Sequence, residues 1–390
     1  MKIALVSPYD FAYPGGVIVH ISYLEHHFAR LGHEVKVIAP ASKVVTSFGD
    51  RFIPIGSPRP VPTSGSIARV TLSPWLSSRV KAVLDREGFD IIHLHEPLMP
   101  MLCTTVLRLS PAANIGTFHA CSGSPGYALA KPLGTWLLKR WFRRLHGKIA
   151  VSKPAMEFAA GYFQGYYNII PNGVDIDHFS PSSLPIEEFG DGKLNIVFVS
   201  RLEKRKGLNH LLGAFSQVKQ QVPNSRLIIV GPGTRLRRKY EREIRRSGLK
   251  DVIFTGLVSY EELPRYYKTA DIFCAPATGR ESFGLILLEA MAAGKPIVAS
   301  NIEGYASVLA HNVDGLLVPP ADKEMLARAL LSLSTDEALR REMGARGRAK
   351  ALEYSWERVA QNVLNYYMRV LSEPPWNRKF PELEATALSV

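Results

Sequence analysis

The stretch Glu281-Ser282-Phe283-Gly284-Leu285-Ile286-Leu287-Leu288-Glu289 sets two acids eight positions apart around the start of an apolar run. Upstream, Thr278-Gly279-Arg280 is polar and loop-like; downstream, the apolar run extends to Ala293 and stops at Gly294-Lys295-Pro296. The segment therefore reads as a loop feeding a helix N-terminus. One acid lies just before the helix and one lies two turns inside it. A helix N-terminus offers backbone N–H groups without intrahelical partners and a partial positive charge, which together make a seat for phosphate. The flanking acids suit hydroxyl-rich groups, a sugar near Glu281 and a ribose near Glu289. The stretch implies a nucleotide-sugar ligand held at the end of a β–α connection.

Working outward, short β-rich runs alternate with longer helical patterns through most of the 390 residues. Strands are predicted at 2–7, 34–39, 90–95, 115–119, 148–151 and 168–170, and again at 194–200, 226–230, 252–255, 272–275, 296–299 and 315–318. Helices are predicted at 16–31, 77–86, 207–221, 236–247, 260–269, 283–293, 323–333 and 355–371. Alternation of this kind implies parallel sheets covered by helices on both faces. About a dozen strands exceed one compact sheet, so two sheets in two domains are expected. The turn Pro171-Asn172-Gly173-Val174-Asp175 and the linker-like Phe179-Ser180-Pro181-Ser182-Ser183-Leu184-Pro185 mark the boundary. The expected division is 1–172 and 173–354, with helix 355–371 packing back on the first domain and 373–390 poorly ordered. Ligands of doubly wound sheets bind at the carboxyl ends of the strands, so a cleft between the two domains is the expected site.

Composition narrows the class. The chain is 46% hydrophobic, and no apolar run reaches membrane-spanning length. The first apolar stretch, in Met1-Lys2-Ile3-Ala4-Leu5-Val6-Ser7-Pro8, is too short for a signal-peptide core and reads as a buried strand. Cys103, Cys121 and Cys274 are odd in number and share no metal-ligand spacing, so buried free thiols and a cytoplasmic location are expected. The net charge of +13 favours anionic partners. No zinc-finger spacing or RNP-type strand appears, so nucleic acid is not expected among them.

Several segments now fall into one ordered pattern. Pro14-Gly15-Gly16 follows the first strand, and Gly116-Thr117-Phe118-His119 ends another. Ile170-Pro171-Asn172-Gly173-Val174-Asp175 closes the first half, and Ser200-Arg201-Leu202-Glu203-Lys204-Arg205-Lys206-Gly207 opens the second. Ala270-Asp271-Ile272 and the spaced glutamates complete the set. Together they resemble glycosyltransferase family 4, the retaining enzymes of the GT-B fold, along nearly the whole chain. Residues 1–40, Ser66-Ile67-Ala68-Arg69, His93-Leu94-His95-Glu96-Pro97 and Glu289-Ala290-Met291-Ala292-Ala293-Gly294 further resemble the phosphatidylinositol α-mannosyltransferases. The resemblance implies an α/β protein with two Rossmann-like domains facing across a cleft. It implies GDP-mannose as a substrate, no cofactor and no strict need for metal. It also implies a membrane phospholipid acceptor, met peripherally at the inner face of the cell membrane.

Site roles follow from the match. Gly15 and Gly16, at a strand-to-helix turn, let the backbone approach a ligand closely. Arg201 and Lys206 bracket the donor diphosphate and stabilise the charge that develops as it leaves; Lys204 and Arg205 between them read as solvated. Glu281 with Ser282, Phe283, Gly284 and Leu285 lines the donor sugar and phosphate, and Glu289 holds the ribose. Two mechanisms stand for Glu281, a covalent nucleophile or a binder of sugar hydroxyls in a front-face reaction; the second is favoured. His119 is expected to hydrogen-bond the sugar at the reacting centre. His93 and His95 share one face of a strand, but with Glu96 they lack a third ligand of clear spacing for a metal.

For the acceptor, Arg69 matches the position that would grip an inositol phosphate through its planar fork. Ser66 lies beside it, and Tyr9 and Asp10 fall where inositol hydroxyls would bind. Pro60-Val61-Pro62-Thr63-Ser64-Gly65 departs from the expected Tyr-Asn pair, which leaves a related lipid or polyol open. Two segments suit an anionic membrane surface, 77–86 and the basic aromatic stretch 136–148; each reads equally as a helix packed on its sheet. A soluble sugar acceptor and a nucleotide-sugar epimerase are the rival functions.

Overall fold

The computed structural model describes residues 1–13, 15–63, 66–122, 138–233 and 235–372, with the side chains of 62, 63, 66 and 67 also outside the description. The predicted tail, 373–390, lies outside the described residues. Contacts divide the chain into two compact units: Met1–Pro171 with the chain from Val359, and Asn172–Arg358.

The first unit is built on a parallel sheet of seven strands. Their order across the sheet is Phe52–Pro54, Glu34–Ala39, Lys2–Val6, Ile91–His95, Ala113–Phe118, Gly147–Ala150 and Asn168–Ile169. Val and Ile runs without polar alternation explain the central strands, because helices cover both faces. Ile91–His95 and Ala113–Phe118 are buried at every position. The strand order reverses between Lys2–Val6 and Ile91–His95. At such a switch point the loops leaving the two strands part, and a crevice opens at the carboxyl ends. Tyr9, Asp10, Glu96 and His119 all lie on loops that leave this edge.

The second unit repeats the plan with six parallel strands. Their order is Val252–Gly256, Ser225–Val230, Leu194–Val199, Ile272–Ala275, Ile297–Ser300 and Leu316–Val318. The reversal here falls between Leu194–Val199 and Ile272–Ala275. The loop with Arg201 and Lys206 leaves the first of these strands, and the loop with Glu281 leaves the second. Apolar side chains pack on both faces of the sheet, with Phe273 and Leu288 in one cluster and Phe215 and Leu330 in the other.

A two-stranded antiparallel ribbon, Pro58–Thr63 with Ser66–Thr71, is absent from the sequence expectations. Pro58, Pro60 and Pro62 each lack the N–H that a ladder bond needs. They fall at every second position of their strand, opposite Thr71, Arg69 and Ile67. Alternate residues of a ribbon turn their N–H groups outward, so a proline there loses no ladder bond. Tyr9 joins this ribbon by a bridge to Val70. Helices Leu102–Leu109, Lys153–Ala160 and Glu337–Ala351 also go beyond the predicted set.

The final helix, Trp356–Ser372, begins in the second unit and ends in the first. Trp356 is buried at 3% exposure against Gly173, where a Cβ would lie 2.5 Å from the indole. Tyr366 donates to the carbonyl of Lys148 and accepts from its N–H at 2.8 Å, while Gly147 leaves room for the phenol ring. Trp356→Ala is expected to cost roughly 3–5 kcal/mol through the cavity it leaves. Urea unfolding followed by circular dichroism measures this; a loss under 1 kcal/mol would remove Trp356 from the core.

Candidate functional site

In the first unit, Gly15 caps the helix Gly16–Arg30 without a side-chain bond, in extended backbone at φ −174°. A Cβ at Gly15 would meet nothing within 4 Å, so the space beside this helix start is open. Asp10 is buried. Its Oδ1 accepts the N–H groups of Ala12 at 3.2 Å and Ser42 at 2.9 Å. Its Oδ2 is sealed from solvent and has no partner among the described residues. A buried carboxylate oxygen without a donor costs free energy until a ligand hydroxyl reaches it. The carbonyl of Arg69 accepts the Asp10 N–H at 2.8 Å. The Arg69 guanidinium lies over the Tyr13 ring at 4.1 Å and forms no ion pair among the described residues. Burial, with help from Glu96 and Cys103, raises the Tyr9 hydroxyl well above its ordinary value and keeps it a neutral donor. Ser66 begins the second ribbon strand, with its side chain outside the description; Ser64 and Gly65 lie outside the described residues.

Beside these groups stands a set of imidazoles. His119 follows strand Ala113–Phe118, and its Nε2 lies 3.0 Å from Nδ1 of His95. His95 lies against His93 with ring centroids 4.4 Å apart and the planes tilted by 33°. His20, from the helix after the glycines, meets the rings of His95 and His119 at 5.2 and 5.0 Å. Burial, reinforced by the neighbouring imidazoles, lowers His95 and His119 well below the usual range, and burial lowers His93 to about 3. All three are neutral at pH 7. Glu96 holds the left-handed φ of 53° and turns its carboxylate back onto the main chain. Its Oε1 accepts the N–H groups of His119 at 2.7 Å and Ala120 at 2.8 Å. Among the described residues no three His, Cys, Asp or Glu side chains gather as ligands for a metal.

In the second unit, Glu281 joins two cations. Its Oε1 accepts from Lys206 Nζ at 2.7 Å and from Arg205 Nη1 at 2.5 Å. Arg205 also bonds Glu203 at 2.9 Å and the carbonyl of Arg280 at 3.2 Å. This corrects the expectation for Arg205: with 21% of its side chain exposed, it is part of the site's framework. Lys204 is exposed, as read from the sequence. Arg201 is the more open cation, 55% exposed and 3.3 Å from Glu203. Burial lowers the Lys206 ammonium, against the pull of Glu281.

Two glycines that the sequence reading did not single out fix this arrangement. Gly207 has φ +76°, and a Cβ there would stand 1.8 Å from the carbonyl oxygen of Pro276. At Gly304 a Cβ would stand 2.0 Å from the carbonyl oxygen of Glu281. Only glycine lets the Lys206 loop and the 303–306 helix approach the Glu281 loop this closely. Gly284, at φ +114°, caps helix Leu285–Ala292, directly after Ser282 and the buried Phe283. Glu289 lies inside this helix and accepts from the Tyr267 hydroxyl at 2.5 Å. Burial raises its carboxyl to about 7, with the Tyr267 hydrogen bond working the other way.

In each unit two loops leave the sheet at its switch point beside a helix start, and in the second unit fixed cations stand there as well. Solved structures share this plan. A glycosyltransferase from Rickettsia africae matches with a TM-score of 0.78 and 19% identity, over 95% of this chain and 99% of that one. An Anabaena protein in complex with UDP and glucose matches with a TM-score of 0.75 and 20% identity, over 94% and 99%. The fold is therefore that of the GT-B glycosyltransferases. The Glycosyltransferase Family 4 model matches residues 14–178, and the Glycosyl transferases group 1 model matches 181–350. A Mycobacterium leprae protein named phosphatidyl-myo-inositol mannosyltransferase is 34% identical over 95% of this chain and 97% of its own length. The chain belongs to glycosyltransferase family 4.

Glu289 gives a pH test. Its folded carboxyl binds a proton up to about pH 7, whereas an unfolded one releases it near 4.5. The folded state is therefore favoured at low pH, and that advantage is lost as pH rises from about 4.5 through 7. Glu289→Gln is expected to stabilise the ligand-free protein at pH 8.5 by roughly 1–2 kcal/mol, discounted for partial exposure, and by little at pH 5. Thermal melts at the two pH values decide; equal shifts would contradict the raised value.

Proposed function

We propose that the enzyme transfers mannose from GDP-mannose to a phosphatidylinositol-like lipid with retention at the anomeric carbon. The observation that carries the substrate class is the near-full-length similarity to the M. leprae phosphatidyl-myo-inositol mannosyltransferase. The geometry supports each half. In the first unit, the Arg69 guanidinium has no carboxylate partner among the described residues, which suits a phosphodiester. The unpartnered Asp10 Oδ2 and the neutral Tyr9 hydroxyl suit inositol hydroxyls.

In the second unit, Arg201 and Lys206 receive the diphosphate, Glu289 the ribose and Glu281 the sugar hydroxyls. The bond from the anomeric carbon to the phosphate oxygen breaks as the charge on the diphosphate grows. Lys206, already desolvated, stabilises that charge without reorganisation. The acceptor hydroxyl attacks from the same face, and its proton passes to the departing phosphate oxygen. This leaves Glu281, held by Lys206 and Arg205, as a hydrogen-bonding anion rather than a nucleophile. His119 contributes a hydrogen bond to the sugar.

The working location we propose is the inner face of the cell membrane, met peripherally. Among the described residues no helix is long and apolar enough to cross a membrane. Of the two candidate surfaces, helix Ser77–Glu87 buries Val80, Val83 and Leu84 and exposes Arg79 and Lys81. The turn before it presents Trp75 at 85% exposure and Leu72 at 52%. In the other, Trp136 and Leu137 lie outside the described residues, Phe142 is buried, and Leu138 and Trp141 pack on the core. The first is the better membrane surface.

Three measurements test the reading. Lys206→Ala is expected to lower turnover of GDP-mannose roughly 100-fold, about 3 kcal/mol of barrier; undiminished turnover would undo the charge-stabilising role. Arg69→Ala is expected to raise the KM for phosphatidylinositol at least tenfold with the donor KM unchanged. Trp75→Ser is expected to weaken flotation with anionic vesicles roughly tenfold. Failure of the unmodified protein to float removes the membrane part of the proposal.

A further inference from the structure

We infer that His95 is a positioning residue that sets the tautomer of His119, so that His119 offers its Nδ1–H to the ligand. The inference rests on the reading of His119 as a sugar-binding group. It starts from a single hydrogen bond and a single orphaned atom. His95 Nδ1 and His119 Nε2 are 3.0 Å apart. His95 Nε2 is buried and has no partner among the described residues. His119 Nδ1 makes no hydrogen bond among the described residues.

Both rings are neutral, because burial disfavours their charged forms. One proton therefore bridges the pair, and two arrangements are available. In one, His119 Nε2–H donates to His95 Nδ1. The proton of His95 then sits on Nε2, as a buried N–H with no acceptor. In the other, His95 Nδ1–H donates to His119 Nε2. His95 Nε2 is then a bare lone pair, and His119 carries its proton on Nδ1. A buried donor without an acceptor is the rarer and costlier defect. The second arrangement is therefore favoured, by roughly tenfold or more.

The neighbours hold this choice in place. His93 cannot turn to serve His95 Nε2, since both of its nitrogens are engaged. Nε2 meets Thr117 Oγ1 at 2.6 Å, and Nδ1 meets the Tyr367 hydroxyl at 2.6 Å. The fixed His93 ring then backs His95 at 4.4 Å. Glu96 pins the main chain of His119 through its N–H. The consequence is a ring that donates rather than accepts at its Nδ1, matched to a hydroxyl oxygen.

Long-range 1H–15N correlation on histidine-labelled full-length protein, with His119 assigned by loss of its signals in His119→Asn, reads the tautomer directly. The expected result is a protonated Nδ1 and bare Nε2 on His119. A protonated Nε2 would overturn the inference, and this readout needs no variant of His95. His95→Leu is expected to let the His119 proton move to Nε2 and to lower turnover of GDP-mannose with phosphatidylinositol at least tenfold. His95→Asn, whose amide can donate from nearly the same place as Nδ1, is expected to retain most activity. Equal losses in both would mean a packing role only. If His119→Asn instead keeps full turnover, the sugar-binding reading of His119 fails while the tautomer result stands on its own.

Discussion

One carboxylate oxygen, Oε1 of Glu281, is shared by the ammonium of Lys206 and the guanidinium of Arg205. The second unit is arranged around that contact. All three side chains are largely withdrawn from water, at 14%, 13% and 21% exposure. Desolvation of such charges consumes most of what their attraction returns, so the cluster is weak evidence for stability. Its value lies in placement. Gly207 and Gly304 allow two backbone approaches that any side chain would block, and both approaches converge on the Glu281 loop. The geometry spends backbone freedom to hold two cations beside Glu281, which in the proposed reaction is where the departing diphosphate gains charge.

The first unit follows the opposite electrostatic strategy. Burial keeps neutral the groups about its switch point: the Tyr9 phenol and the His119 imidazole, with those of His93 and His95 wholly buried beside them. Neutral donors and acceptors bind hydroxyls without drawing a competing anion. Two side chains stand apart from this neutral set: the buried Asp10 carboxylate, with Oδ1 held by main-chain N–H groups, and Arg69, stacked on Tyr13. Stacking lets a guanidinium stay near an aromatic face while its N–H edge remains available for phosphate. A polyol phosphate combines both demands, with hydroxyls for the neutral wall and one anionic group for the cation.

The fold was legible because buried parallel strands leave continuous apolar runs. Residues 194–200, 226–230 and 272–275 could be placed from such runs alone. The proline-rich ribbon was not legible, since whether Pro60 breaks a strand depends on which side its missing N–H would face. Helix Glu337–Ala351 was hidden for another reason: it is largely charged, and it buries mainly Met343, two glycines and Ala351. At the site, the shared face of His93 and His95 followed from period-two alternation. Their link to His119 did not, because it depends on register: His95 lies opposite Thr117, two residues before His119. Arg205 was misread as solvated for the same kind of reason. Its partner Glu281 is 76 positions away, brought near by the pairing of two central strands.

That pattern of failure says something about how the site is built. Elements are specified by local sequence, but each functional side chain here is held by a residue from another strand or loop. Glu96 reaches the N–H of His119, Tyr367 reaches His93, Tyr267 reaches Glu289, and Gly304 admits Glu281. A motif such as the two spaced glutamates can mark a candidate site, because helix starts and acids are local features. It does not show what keeps each group at its proton state. Tyr267 holds a carboxyl that burial would otherwise raise still further, and burial, with His20 and His93 near by, keeps His119 neutral. Replacing a supporting residue should therefore change the chemistry of the site while every motif residue remains in place.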